Sequence, residues 1–406
     1  MKYKSSPYRK NVNQAEYQLR PNLRTSVDEN SRPLAVNYSR FKLGELVTIK
    51  YGKNQKKVES KNGSIPIYGT GGRIGFAKQP LYDKPSVLIG RKGTINKVKF
   101  VDHPFWTVDT LFYTIINDDI VLPRYLFYLM SLLDLESYNE GTTIPSLRTE
   151  TLNRLEFDIP DLEYQRKVLS VLEPLDKKIT LNVSINKNLE EQLLTYYREI
   201  FITNAKPTWK AGTIADLGNV VGGGTPSKKR DEYYTERGIA WITPKDLSND
   251  HSKFISHGEI DITELGFTNS SAVRMPSGTV LFSSRAPIGY IAIADEEVTT
   301  NQGFKSVVPF DEIGTAFVYC FLKENLTVIE NMASGSTFKE ISGSTMKVVP
   351  AIIPDFETVS VFRNYSDSIF HQQRNNEAEN RQLSAIRDSL LPKLMSGKLD
   401  ASEVGI

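Results

Sequence analysis

Two stretches of this chain close in the same way: GTTIPSLRTETLNRLEFDIPD at residues 141–161 and GSTFKEISGSTMKVVPAIIPD at residues 335–355, an offset of 194 positions. Any fold for the chain must account for that echo. Followed upstream, it extends to GELVTIKYG (44–52) with ADLGNVVGG (215–223), VLIGRKGTIN (87–96) with VLFSSRAPIG (280–289), and WTVDTLF (106–112) with TTNQGFK (299–305). The repeat is the size of a domain and far too long for a solenoid unit. With 406 residues, the chain can hold two such domains, each large enough to bury its own core.

Each copy has the same internal order. Short strand-like runs bounded by Gly, Pro, Asn and Ser come first (SIPIYGTGG and SVLIGRKG; GIAWITP and GTVLFSS). A helical segment with apolar residues at three- and four-residue steps comes next, at 122–136 and again at 315–330. A last strand is then stopped by proline. The expected fold is mixed α/β: two similar globules produced by internal duplication.

Each globule runs on into a segment of a different kind. From Val168, Leu172, Leu175 and Ile179 through Asn182, Asn186, Leu189 and Leu193 to Tyr196 and Ile200, seam residues alternate four- and three-residue steps, the pattern of a coiled coil. Adding 194 gives a second seam, from Phe362, Ser366 and Ile369 through Gln373, Asn376 and Asn380 to Leu390 and Leu394. Both seams carry two asparagines at the same two positions. An unpaired amide inside a seam costs roughly 1–3 kcal/mol, so a buried asparagine favours another as partner. An antiparallel pair of helices would set Asn182 opposite Asn380 and Asn186 opposite Asn376, fixing register; a merely solvated polar stretch is the alternative. Pro174 has no counterpart, Ser368 standing in its place, so the first helix is expected to kink or begin there. The divisions expected are residues 1–40 as an N-terminal arm, with a short helix at 14–19 or disorder as alternatives, a first globule (41–160), a first long helix (161–205), a second globule (206–355), a second long helix (356–400) and a short tail (401–406).

Several phrases together carry a family resemblance: GGGTPSKKRDEYY with GIAWITPKDL, SSRAPIGYIAIA with TTNQGF, IPIYGTGGRIG with VLIGRKGTI, the two closing phrases, IPDLEYQRKVLSVL and LLPKLMSGKL. In their number, order and duplication they resemble the specificity subunit of type I restriction-modification enzymes, over about residues 41–400. The resemblance implies that each globule is a target recognition domain reading one half of a bipartite DNA sequence. It also implies that the helices set the gap and dock two methyltransferase subunits, with restriction/translocase subunits as further partners. Cofactors would lie with those partners (S-adenosylmethionine, ATP and Mg), none being bound by this chain. A Glu-Gln pair usual where the long helix starts is kept in part as Tyr164-Gln165 and replaced by Thr358-Val359, which makes the two helix starts unequal.

The candidate DNA contacts follow from chemistry. Guanine is read by Arg or Lys and adenine by Asn or Gln, while phosphates are held by cations, hydroxyls and backbone amides. In the first copy the candidates are Tyr68, Thr70 and Arg73 in the glycine loop 68–75, Arg91, Lys92 and Thr94 at a strand end, and Thr142, Thr143 and Arg148 in the closing phrase. In the second copy they are Lys228, Lys229 and Lys245, then Ser284 and Arg285, then Ser336, Thr337 and Lys339. An ordinary glycine turn, a solvated basic face and a cap on the last strand are the structural alternatives for loop 68–75, loop 225–230 and the closing phrase, respectively. Trp106, Trp209 and Trp241 read as core. The charge pattern is lopsided: thirteen Lys/Arg against five Asp/Glu over 41–110, but ten against twelve over 210–310. A polyanion partner suits the first block, and charge is silent on the second.

Catalytic signatures are missing. Ile74 stands where a dinucleotide loop needs its third glycine, and neither a P-loop nor an Asn-Pro-Pro-Tyr tetrad is present. His103, His251, His257 and His371 are scattered without metal-ligand spacing. The expectation is a non-catalytic recognition subunit; a duplicated module that binds something other than nucleic acid, with a helical dimerisation rod, is the alternative. Cys320 is the only cysteine, and neither a signal peptide nor a run of ~18 apolar residues occurs, so the expected location is the cytoplasm.

Overall fold

The computed structural model describes residues 36–250, 252–335 and 339–404. It divides into two compact units, residues 1–177 with 383–406 and residues 178–382. Each unit holds one globule and a stretch of both long helices. Most of the arm, including the alternative short helix at 14–19, lies outside the described residues, as do His251, Ser336 and Thr337.

In the first unit a four-stranded sheet runs in the order Val47–Tyr51, Leu111–Ile116, Ser86–Gly90, Val98–Val101, with every neighbouring pair antiparallel. Ser86–Gly90 is buried along its whole length, which explains its unbroken apolar run. A second sheet pairs the hairpin Ile65–Gly69/Gly72–Ala77 with Trp106–Thr107, the latter in parallel. A two-stranded ribbon joins Tyr38–Lys42 to Glu156–Pro160, so the globule starts three residues before the boundary drawn at 41.

The second unit repeats the plan. Gly218–Gly222, Lys305–Pro309, Val280–Ser284 and Ile288–Ala294 take the same order, and Phe254–Ile255 is added in parallel at the edge. Trp241–Ile242 pairs in parallel with Thr299–Thr300, and Lys210–Thr213 pairs with Pro350–Ile353. Shared strand order and shared strand sense at distant pairings are what a duplicated domain must show, and they explain the echo in the sequence.

One helix in each globule packs its apolar side inward: Pro123–Ser131, with proline in the first turn where no amide partner is lost, and Thr315–Glu324. The first core joins Tyr125, Tyr128 and Phe112 to Val168 and Leu172 of one long helix and Leu391 and Leu394 of the other. The second joins Phe317 and Phe321 to Leu193, Tyr197 and Phe362, and it also contains Cys320.

The long helices span Leu162–Arg198, continued by a π turn Glu199–Thr203, and Phe356–Met395. Pro174 sits inside the first helix, which begins twelve residues earlier, at Leu162. The helix survives because only the hydrogen bond to Ser170 is forfeited, while Val168, Leu172 and Leu175 on either side stay buried. The helices run antiparallel within each unit. In the second, Asn182 Nδ2 donates to Asn380 Oδ1 at 2.9 Å and Asn376 Nδ2 to Asn186 Oδ1 at 2.7 Å. Asn186 and Gln373 also exchange bonds with each other's backbone carbonyls at 3.0 Å. No helix among the described residues is long and apolar enough to cross a membrane.

Candidate nucleic-acid interface

In the first globule the central strand ends at Gly90, where a Cβ would meet the Thr94 carbonyl at 2.2 Å, so only glycine allows the sharp turn beyond it. The turn is knitted to two other segments. The Arg91 amide donates to the Thr110 carbonyl at 2.8 Å, the Gly93 amide to Pro145 at 2.9 Å, and the Leu147 amide to Arg91 at 3.0 Å. The Val108 amide donates to the Tyr68 carbonyl at 3.1 Å, and Thr70 Oγ1 lies 3.9 Å from the point a Gly93 Cβ would occupy. Backbone bonds thus gather the glycine hairpin, the strand-end turn and the closing-phrase loop, and with them Tyr68, Thr70, Arg91, Lys92, Thr94, Thr142 and Thr143.

Side chains sharpen the picture. Arg91 donates to the Asp109 carbonyl at 2.8 Å and lies 5.1 Å from the centre of the half-exposed Tyr51 ring. The Lys99 ammonium lies 4.9 Å from the Tyr68 ring, whose hydroxyl bonds His103 at 3.1 Å; burial raises the Tyr68 pKa. Arg73 is exposed and covers Phe76 at 4.8 Å. Lys92 is exposed and makes no ion pair among the described residues, whereas Arg148 is held by Glu140 at 3.0 Å.

The second globule repeats the scaffold with other side chains. The Ser284 amide donates to Gly303 at 2.7 Å, the Ile341 amide to Ser284 at 3.1 Å, and Arg285 bridges Glu340 as Lys92 bridges Ser146. Ser284 itself is fully buried and its hydroxyl donates to the Gly303 carbonyl at 3.1 Å. The hydroxyl expected to meet DNA is used internally here, holding the turn. Arg285 is held by Glu340 at 3.3 Å, and Lys245 is paired with Glu259. Lys228, Lys229 and Lys339 are exposed without ion pairs among the described residues. Lys305, beside this turn, has its pKa lowered by burial, opposed by Glu340 and assisted by Arg285; its ammonium donates to Phe304 at 3.2 Å.

Sequence reasoning passed over Tyr51, Lys99, Lys305 and Gln302, the last bonded to Thr225. Gln302 and Lys305 lie inside the repeated TTNQGFK and Tyr51 inside the repeated GELVTIKYG, so all three were findable there; Lys99 carries no such signal. Trp106 and Trp241 are buried with their indole N–H groups on the Lys53 and Gly224 carbonyls, and Trp209 packs on the second core. Among the described residues no cluster of three or more metal-ligating side chains occurs.

Comparison with known proteins places this arrangement. The family model described as the type I restriction modification DNA specificity domain matches twice, over residues 35–191 and 206–380. The MjaIX specificity subunit of Methanocaldococcus jannaschii is 39% identical over 189 residues, 45% of this chain and 44% of that protein, so the match spans less than half of that relative. The HindI specificity subunit of Haemophilus influenzae is 26% identical over 384 residues, 74% of this chain and 83% of that one. The crystal structure of the S subunit of a type I restriction-modification system from M. genitalium aligns with a TM-score of 0.55 at 18% identity, covering 89% of this chain and 97% of the other, a likeness of fold. Two copies of one domain, each matched by the same family model and each ending in a long helix, make this chain a member of the type I restriction modification DNA specificity family.

Proposed function

We propose that the chain is the DNA-reading subunit of a type I restriction-modification complex and is itself non-catalytic. Each globule reads one half of a bipartite target through its strand-end turn and neighbouring loops, and the paired helices set the gap and dock two methyltransferase subunits. Methylation and cleavage, with S-adenosylmethionine, ATP and Mg, belong to partner subunits. The observation that carries this reading is the doubled match to the specificity-domain model, coupled to a turn built on the same backbone bonds in each copy. The cations differ between the copies: Arg91 and Lys92 in the first, Arg285 and Lys305 in the second.

Phosphate contacts release counterions, so duplex affinity should fall steeply with salt, with a slope of about −0.9 per phosphate contacted. A salt titration of the full chain on duplex DNA tests the polyanion partner. Replacing residues 209–355 with the corresponding segment of a relative tests modularity. The methylated target sequence should change in one half only, and a change in both halves overturns the modular reading.

A further inference from the structure

The loop facing the strand-end turn contains the same two-residue contact in both globules, with its carboxylate on opposite sides. In the first, the Glu140 amide donates to the Ser146 carbonyl at 2.9 Å. In the second, Ser334 and Glu340 stand at the matching positions and exchange amide bonds at 3.1 and 2.9 Å. Glutamate and serine have traded places, and each glutamate consequently reaches a different arginine. Glu140 holds Arg148 at 3.0 Å and accepts from the Thr151 hydroxyl. Glu340 reaches across its bridge to hold Arg285 at 3.3 Å. The position of Arg148 is taken by Ser342, which caps the short helix Gly343–Lys347 and offers no cation. The position of Glu340 is taken by Ser146, which leaves Lys92 without an acidic partner among the described residues.

We propose that Glu140 and Glu340 control which cations reach DNA, each withdrawing one arginine from the DNA-facing loops of its own globule, so that two equivalent backbones present different cations to their half-sites. The proposal rests on the DNA-reading function stated above. Both pairs are partly exposed, with side-chain exposures of 69% and 30% for Arg148 and Glu140 and 37% and 38% for Arg285 and Glu340. Pairs of this kind contribute little to folding, so removing the carboxylate should leave the globules intact. It should also free a guanidinium for a phosphate or for a guanine edge.

The test uses the full chain and a duplex of unrelated sequence. Glu340→Gln should widen the affinity ratio between ~50 and ~200 mM salt by roughly 3.5-fold over the unsubstituted chain, the effect of one added phosphate contact. Glu340→Gln combined with Arg285→Gln should abolish the widening. Glu140→Gln should do in the first globule what Glu340→Gln does in the second, and Arg148→Gln should cancel it. An unchanged ratio in both single variants, or a widening that persists without the arginine, overturns the proposal. If the unsubstituted chain shows no fall in affinity with salt, the DNA-reading function itself fails, and this inference fails with it.

Discussion

The two globules grip the long helices with related devices of different depth. In the first unit the Tyr128 hydroxyl donates to Asp176 of the first long helix at 2.6 Å, and Arg387 of the second long helix holds the same carboxylate at 2.8 Å. In the second unit the Tyr319 hydroxyl donates to Glu190 at 2.6 Å, but the cation is Lys253, which comes from a loop of the globule. Lys253 also donates to Gln373 at 2.7 Å and lies under the rings of Tyr319 and Phe370 at 4.6 and 4.8 Å. Its own amide and that of Phe254 are both accepted by Glu377, at 2.8 and 3.1 Å. The Lys253 side chain is 8% exposed against 28% for Arg387. Both units thus hold a long helix through a tyrosine hydroxyl on a carboxylate, but not at positions the repeat matches, since Phe370 stands 194 residues beyond Asp176, and the source and burial of the cation differ.

The sharpest test of that difference is Lys253→Met against Arg387→Met. Removing one partner of a buried pair leaves the other charge stranded, at a cost of about 3–5 kcal/mol for Lys253. The partly exposed Arg387 should cost less, about 1–3 kcal/mol as a charged hydrogen bond. Equal losses in urea midpoint would break the comparison.

The starts of the two long helices diverge in the same manner. Gln165 is fully buried, donating to the Ile120 and Pro160 carbonyls at 2.8 and 2.9 Å and accepting the Leu122 amide at 2.8 Å. Its counterpart Val359 is plain core. This residue pair therefore makes the helix starts unequal inside the protein. Gln165→Val should cost about 2–3 kcal/mol by orphaning those groups, again read from the urea midpoint.

Smaller still is the asparagine pair. Asn186→Leu alone leaves the Nδ2 of the buried Asn376 without its acceptor and should cost about 1–2 kcal/mol, whereas Asn186→Leu with Asn376→Leu should recover most of it. If the asparagines set register, methylated targets recovered with the double variant should show altered half-site spacing; unchanged spacing removes that role.

The mildest effect is on pH. Burial pushes the Glu190 carboxyl up, but Lys253 and Tyr319 outweigh it and hold it below the ordinary value of 4.5. A carboxyl lowered in the folded state contributes stability that is present above 4.5 and lost as pH falls through the folded value. Glu377, raised by burial, works in the opposite sense and protonates first on acidification. Glu190→Gln should therefore weaken the acid-side loss of stability of the second unit, on top of the overall destabilisation expected from stranding Lys253. Thermal melts of both chains across the acid range check this.

Much of the fold was legible because it is periodic or repeated. Heptad spacing depends on helix geometry alone, and alternation or apolar runs on strand geometry, so the two helices and the central strands 86–90 and 280–284 stand out in the chain. The aligned phrases carried over to equivalent backbone bonds, as at Leu147 with Arg91 and at Ile341 with Ser284. Burial within the site was not legible. Ser284 and Arg285 read alike as loop polars, yet one is sealed in the core and the other is ion-paired. Local rules allow a helix to kink or begin at Pro174, but this helix begins at Leu162, because packing on both sides of the proline carries it through.

By itself, then, the order of residues determined that one domain occurs twice and that each copy continues into a seam-forming helix, since such patterns are properties of short segments. Only the tertiary structure decided which cations stay open. Whether Arg148, Arg285 or Lys253 meets a carboxylate depends on Glu140, Glu340 and Glu190, which stand 8, 55 and 63 positions away in the chain. A side chain's charge is set by its own chemistry, but its availability is set by whatever folding brings beside it.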